Sequence, residues 1–134
     1  MDEKIFITGA SSGIGKALAI EYAKRGAILG LSARRTEKLK KVAKQCEEFG
    51  AKKVFVYALD VTNETESTNT TKQFLTDAQG IDIVIANAGV AYSDKISSGD
   101  PTQINKVIST NVIGVTNSII PFITKMKEEQ SGKI

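Results

Sequence analysis

The stretch Thr8-Gly9-Ala10-Ser11-Ser12-Gly13-Ile14-Gly15 decides how this chain folds. It follows a short apolar run, Ile5-Phe6-Ile7, and it precedes a helical pattern of apolar residues that continues to about Arg25. An apolar run, a glycine-rich break and a helical period, in this order, predict a strand, a tight turn and a helix.

The three glycines of this turn suit different tasks. Gly9 can adopt the positive φ of a tight turn, Gly13 leaves room for a phosphate beside the main chain, and Gly15 lets the helix pack closely. The start of a helix also offers free amides and a partial positive charge to phosphate. An ordinary strand-to-helix turn is the alternative, but the position of the glycines favours a nucleotide site. The predicted phosphate-binding residues are Gly9, Ser11, Ser12, Gly13, Ile14 and Gly15.

Strands and helices alternate along the rest of the chain. Further strands are predicted at residues 27–32, 53–59 and 81–86, each followed by a helix. This alternation predicts an α/β fold: a doubly wound, Rossmann-type parallel sheet with helices on both faces and right-handed crossovers. We expect residues 1–134 to form a single, incomplete nucleotide-binding domain, truncated after the fourth strand and the helix that follows it. Lys133-Ile134 is interpreted as the start of a fifth strand.

Capping residues mark the predicted helix starts. Thr36 is expected to cap the second helix, while Asn63 with Glu66, and Asp100 with Gln103, have the spacing of a capping box. The second helix should bury the stripe Leu39, Val42, Ala43, Cys46 and Phe49. The last helix is predicted to be one long helix with a bend at Pro121, and its apolar positions are Ile104, Val107, Ile108, Val112, Val115, Ile119, Phe122 and Met126.

Composition excludes several classes of protein. The 134 residues contain no His and one Cys, so a His base, a His/Cys zinc site and an internal disulfide are excluded. The net charge of +3 does not favour nucleic acid, because the lysines between residues 38 and 44 fit the solvated face of an amphipathic helix. No apolar run approaches the roughly 20 residues of a membrane helix, so we expect no membrane contact and a cytoplasmic location.

The glycine turn resembles the Thr-Gly-x-x-x-Gly-x-Gly fingerprint of the short-chain dehydrogenase/reductase family. Asp60-Val61 is similar to the family's adenine-contacting pair, and Asn87-Ala88-Gly89 to its motif beside the cofactor ribose. Asn111 matches the helix asparagine of the family's active-site proton relay. The resemblance thus implies that Asp60 accepts a hydrogen bond from the exocyclic amine of adenine and that Asn111 is catalytic.

Each of these residues also has a plain structural interpretation. Asp60 is a suitable carboxylate for a turn, and Asn87 tolerates unusual turn dihedrals. Asn111 falls on the inner, apolar stripe of the last predicted helix, where an unpaired amide costs a few kcal/mol, so it needs polar partners nearby. Hydrogen bonds to backbone would satisfy it equally well.

The end of the second strand bears on the choice of cofactor. Dinucleotide-binding folds place a carboxylate there for the ribose hydroxyls of NAD, or a basic group for the extra phosphate of NADP. Here Ala33 stands where NAD-using relatives resemble one another in carrying Asp, and Arg34 and Arg35 follow. A guanidinium binds phosphate through paired donors, although these arginines could also be solvated residues before a helix. We therefore predict NADP rather than NAD.

The resemblance implies hydride transfer between a nicotinamide and a small carbonyl or alcohol substrate, with a Tyr-x-x-x-Lys pair and a Ser as catalysts. The residues four positions after Tyr22, Tyr57 and Tyr92 are Gly26, Val61 and Ile96, so the pair is absent. We expect an oxidoreductase when the protein is complete, and no turnover by this chain alone. A non-catalytic nucleotide-binding module, or a structural half completed by a partner chain, remains the alternative.

Two further expectations concern surfaces. The loop 90–99 should supply one wall of a substrate pocket, with Tyr92, Ser93 and Asp94 near the substrate. An apolar edge strand and the apolar face of the last helix would invite pairing with another chain, so we expect a homo-oligomer or other self-association.

Overall fold

One parallel sheet forms the centre of the computed structural model, which describes residues 2–92 and 96–134. Its strands run in the order β3-β2-β1-β4. The chain therefore moves outward from β1 to β3 and then returns to the other side of β1. In such sheets ligands bind outside the carboxyl ends of the strands where the order reverses, here between β1 and β4. The bounds are β1 Lys4–Thr8, β2 Ile28–Ala33, β3 Lys53–Ala58 and β4 Ile83–Ile85.

Helices cover both faces of the sheet, which confirms the predicted α/β class. The first two pack on one face, and the third and fifth on the other. Phe49, predicted in the buried stripe of the second helix, follows that helix and is 50% exposed, so this part of the prediction was wrong. The bounds are α1 Gly13–Lys24, α2 Thr36–Glu48, α3 Glu64–Ala78, α4 Thr102–Ile108 and α5 Gly114–Glu129, with a 3-10 turn at Ile96–Ser98.

The core is divided by the sheet because side chains alternate across a strand. Ile5 and Ile7 of β1 are fully buried under α1 and α2. Phe6 points to the opposite face, where its ring centroid lies 5.3 Å from that of Phe74 in α3 and 5.2 Å from that of Phe122 in α5. These aromatic contacts fasten α3 and α5 to the same strand that leads into the glycine turn.

Two of the predicted helix starts can be judged from their caps. Asn63 caps α3 as predicted, since its Oδ1 accepts a bond of 2.9 Å from the amide of Glu66. The reciprocal half of the box is absent, because the Glu66 carboxylate accepts from the Asp60 amide instead. The prediction for Thr36 was wrong: Thr36 is already helical, and Arg35 occupies the cap position without a side-chain bond.

The start of α4 lies one residue later than predicted. Pro101 holds the cap position, and the helix begins at Thr102. Asp100 still binds the helix end, because its Oδ1 accepts from the amide of Thr102 at 2.9 Å and from its hydroxyl at 2.7 Å. Gln103 does not complete a capping box, and its Oε1 is buried without a partner among the described residues. The Asp100 carboxylate alone therefore binds the start of α4, in place of the predicted two-residue capping box.

The last helix, predicted as one long helix with a bend at Pro121, is instead interrupted earlier in the chain, and Pro121 lies within α5. A π-helical segment, Ser109–Ile113, separates α4 from α5. Phe122 and Met126 are buried, whereas Ile104, Ile108 and Val112 are 42%, 48% and 57% exposed. The apolar spacing thus predicted helical structure correctly, but only some of the apolar positions are buried.

The same helical stretch bears on the membrane prediction. Taken as one helix, Thr102–Glu129 has an 18-residue window of mean hydropathy 1.4, long and apolar enough to cross a membrane. The sequence-based estimate missed it because unbroken apolar runs were counted rather than mean hydropathy. One such helix is weak support for a membrane span, since core helices of soluble proteins meet the same criterion.

The last residues lie beside β4. Lys133 forms a parallel bridge with Ile83, its amide donates to Asp82 at 2.9 Å, and its carbonyl accepts from Val84 at 3.0 Å. The interpretation of Lys133 as the entry to another strand is confirmed.

Candidate nucleotide-binding site

A cavity of about 340 Å³ opens where the carboxyl ends of the strands meet. Five separate parts of the chain line it: the glycine turn, the end of β2, the end of β3, the loop after β4 and the helical stretch around Thr110. Together they bring amides, guanidinium groups and one carboxylate to a single cleft. The lining residues are Gly9, Ser11, Ser12, Ala33, Arg34, Arg35, Leu59, Asp60, Val61, Asn87, Ala88, Gly89, Val90 and Thr110.

The glycine turn has the predicted geometry. Gly9 and Gly13 have φ of +64° and +57°, the left-handed region that favours glycine. A Cβ at Gly15 would lie 2.4 Å from the carbonyl oxygen of Gly9 and 2.5 Å from Nδ2 of Asn87. A Cβ at Gly13 would meet no atom within 4 Å, so this side of the turn is open. The turn is therefore closely packed at Gly15 and open at Gly13.

Asn87 fastens the glycine turn to the loop after β4. Its Nδ2 donates to the carbonyl oxygens of Thr8 and Gly9, at 3.2 and 3.1 Å. The hydroxyl of Thr8 in turn accepts from the amide of Ala88 at 3.1 Å. The turn and the loop thus form one hydrogen-bonded wall, and the amide of Asn87 is directed at the main chain rather than into the cleft.

Asp60 provides the carboxylate of the cavity. Its Oδ1 accepts from the amide and the hydroxyl of Thr62, at 3.0 and 2.7 Å. Among the hydrogen bonds of the described residues, Oδ2 takes no part. One carboxylate oxygen is therefore held by the turn, and the other is an acceptor for a ligand.

Arg34 and Arg35 bring positive charge to the cavity directly after β2, the strand that pairs with β3. Both are exposed, and neither forms an ion pair in the described part of the chain. Their neighbour Ala33 places no carboxylate beside them. An anion entering this end of the cleft meets guanidinium donors and no competing acid from β2.

Asn111 lies in the π-helical segment, behind the cavity wall. Its Nδ2 donates to the carbonyl of Val90 and its Oδ1 accepts from the amide of Val90, both at 2.8 Å. The residue is exposed, so the expected apolar surroundings were wrong, but the expected polar partners are present. Its side chain orders the main chain after the Asn87-Ala88-Gly89 motif, and a catalytic role remains a prediction.

Most of the predicted site residues line the cavity, but four do not. Gly13, Ile14 and Gly15 form the first turn of α1 beside it, and Asn111 lies behind Val90. Tyr92 is 43% exposed, while Ser93 and Asp94 lie outside the described residues. Sequence reasoning missed Leu59, Val90 and Thr110, whose one sequence signal is that each adjoins a predicted site residue.

This fold and site define a dinucleotide-binding α/β protein, because a glycine turn, a helix N-terminus and polar groups at the strand ends meet at the topological switch point. Comparison with known proteins narrows the class. The family model for short chain dehydrogenases matches residues 3–134. The chain therefore belongs to the short-chain dehydrogenase family, which confirms the resemblance, and that family consists of oxidoreductases.

Individual relatives agree with this assignment. The chain is 34% identical over 136 residues to mouse dehydrogenase/reductase SDR family member 7, covering 99% of this chain and 40% of that protein. An alcohol dehydrogenase from Thermococcus sibiricus, solved with 5-hydroxy-NADP, matches with a TM-score of 0.91 and 30% identity over 99% of this chain and 57% of its own. NAD+-bound xylitol dehydrogenase matches with 0.91 and 25%, over 97% and 50%. The chain spans about half the length of these proteins or less.

Proposed function

We propose that the complete protein is an NADP(H)-dependent oxidoreductase that transfers hydride between the nicotinamide and a carbonyl or alcohol carbon. The single observation that carries the cofactor assignment is the pairing of Ala33 with Arg34 and Arg35 in one cavity wall. A ribose phosphate there would meet guanidinium donors, whereas a carboxylate at the same place would repel it.

The residues of this chain have defined tasks in the proposal. The glycine turn and the start of α1 hold the pyrophosphate, the arginines hold the ribose phosphate, and Oδ2 of Asp60 accepts from the exocyclic amine of adenine. The bound cofactor would supply the hydride chemistry. Asn87 and Asn111 keep the neighbouring main chain in place through the bonds described above.

A titration tests the cofactor assignment. The chain contains no tryptophan, so the fluorescence of the reduced nicotinamide itself is the signal. We expect tighter binding of NADPH than NADH. R34A should lose about tenfold or more for NADPH and little for NADH, because the lost contact is to a charged group. R25A, an exposed arginine of the α1 end outside the cavity, is the matched control. Preference for NADH in the wild type would refute the assignment.

We also propose that the 134-residue chain does not catalyse turnover by itself. The support is the absence of a Tyr-x-x-x-Lys pair among its three tyrosines. A catalytic tyrosine needs a neighbouring cation to lower its pKa, and none of the three has lysine at that spacing. Steady oxidation of NADPH by this chain with simple ketones and aldehydes would contradict the proposal.

Partners and location are proposed on physical grounds alone. The exposed apolar residues of the last helical stretch favour a homo-oligomer, because water-exposed isoleucine and valine at neighbouring positions mark a contact surface. The modest net charge of +3 supports a protein without nucleic-acid partners, and we propose a cytoplasmic location alongside it. A stable dilute monomer in sedimentation velocity would count against the oligomer.

A further inference from the structure

The adenine end of the cavity is connected to α5, a helix that does not line the cavity. Nδ2 of Asn117 donates to the carbonyl oxygen of Val61 at 2.9 Å, across 56 positions of sequence. One turn earlier, Gly114 contacts the Val61 side chain so closely that a Cβ there would lie 2.6 Å from Cγ2. One face of α5 therefore contacts both the main chain and the side chain of Val61.

The turn at Asp60-Val61-Thr62 needs such an anchor. The β3 ladder ends with the bond from Leu59 to Ala33, so the turn lies beyond the sheet. Its other hydrogen bonds in the described part of the chain join residues only a few positions apart, within the turn itself or to the start of α3. Local bonds shape a turn but do not set its place relative to the rest of a cleft. That place is set by the burial of Leu59 and Val61 in the core and by the hydrogen bond from Asn117 of α5.

We infer that Asn117 is a positioning residue for adenine recognition, acting through Val61, with Gly114 admitting the Val61 side chain. The inference rests on the proposed function and deepens it. Glycine within a helical stretch costs about 1 kcal/mol relative to alanine, so Gly114, where the π-helical segment joins α5, needs a packing reason, and Val61 is that reason. Asn117 does not line the cavity, so it is a positioning residue and not a catalytic one.

The test compares NADPH with its hypoxanthine analogue, in which a carbonyl oxygen replaces the exocyclic amine. The wild type should bind NADPH about tenfold more tightly, because the analogue presents an oxygen to the Asp60 carboxylate. In N117A this preference should fall at least threefold, with most of the loss in NADPH affinity. N69A, an exposed asparagine of α3, is the matched control and should retain the wild-type preference.

The outcomes separate the positioning role from general damage and from the proposed function. N117D, nearly the same size as asparagine, is the second variant; at neutral pH it turns an acceptor toward the Val61 carbonyl and should also lose the preference. Equal weakening of both dinucleotides in the variants, or no change in either, would overturn the inference. A wild type that binds both dinucleotides equally would overturn it as well. A folded wild type that binds neither would overturn the proposed function itself.

Discussion

Single residues set how closely the first turn approaches the rest of the site. Gly9 has a positive φ and a Cβ there would lie 2.8 Å from Cα of Ala88, so both its conformation and its contacts require glycine. Gly15 does not have a positive φ, so glycine is required there only because a Cβ would overlap neighbouring atoms. The glycines of one motif are thus needed for different physical reasons, which a substitution series can separate.

We predict that G15A destabilises the fold by about 3 kcal/mol or more, because its Cβ would overlap the main chain of Gly9. Alanine otherwise favours a helix over glycine by about 1 kcal/mol, so the contact must outweigh that gain. Gly26 is the matched comparison: its φ is +78° with no atom near a Cβ, and G26A should lose only about 1–2 kcal/mol of conformational energy. Urea unfolding measures both, and equal losses would show that the overlap is relieved.

At the scale of elements, the helices differ in what stabilises them. α3 is poor in helix formers, with threonines at 65, 68, 70, 71 and 76, and depends on its cap and on the burial of Phe74. The stretch from α4 to α5 instead contains a π-helical segment, in which Asn111 forms two hydrogen bonds with the main chain of Val90. π-Bulges of this kind are frequent at functional sites, and here the bulge borders the cavity wall.

The cap of α3 gives a prediction at this scale. N63A should lower the free energy of unfolding by about 1 kcal/mol, because the Glu66 amide loses its acceptor. N63D should retain most of the stability, since a carboxylate oxygen accepts the same bond and favours a helix N-terminus. Thermal unfolding followed by circular dichroism compares the variants. A loss in N63D as large as in N63A would show that the bond is not what stabilises this end.

For the whole molecule, the sheet separates two apolar layers, and each layer holds a group whose alkaline pKa is raised by burial. Cys46 is fully buried between α2 and the sheet, and burial raises the pKa of its thiol to about 11, from an ordinary 9.0. Tyr57 lies on the other face, where burial, followed by its 2.7 Å hydrogen bond to Asp77, raises its pKa. Burial thus favours the protonated, neutral form of both Cys46 and Tyr57.

This arrangement predicts a loss of stability in alkali. Both groups are neutral when protonated, and folding raises their pKa, so the unfolded chain releases these protons first. The thiol's contribution is complete below about pH 9 and is lost as pH rises toward 11. Urea unfolding at pH 8 and pH 10.5 measures the decrease, which should be smaller in C46A than in the wild type. An identical decrease in C46A would show that the thiol does not contribute.

The sequence predicted the order of strands and helices better than it predicted the contacts between them. The glycine turn, the strand and helix order and most cavity residues followed from local patterns, because period and turn chemistry are encoded in adjacent residues. The helix caps at Thr36 and Asp100 were misplaced by a residue, and the π-helical segment left no sign in the apolar spacing. Val90 and Thr110 were missed as lining residues because neither carries a motif of its own.

By itself, the sequence determined the class of fold, the nucleotide-type turn and the basic end of β2. Each of these depends on residues close together in the chain, whose conformational preferences act before any long-range contact. Only the tertiary structure decided that Asn87 forms hydrogen bonds with the glycine turn, Asn111 with Val90 and Asn117 with Val61. Those bonds join residues between about 20 and 80 positions apart, and which polar groups meet is set by how the helices pack on the sheet, not by any local pattern.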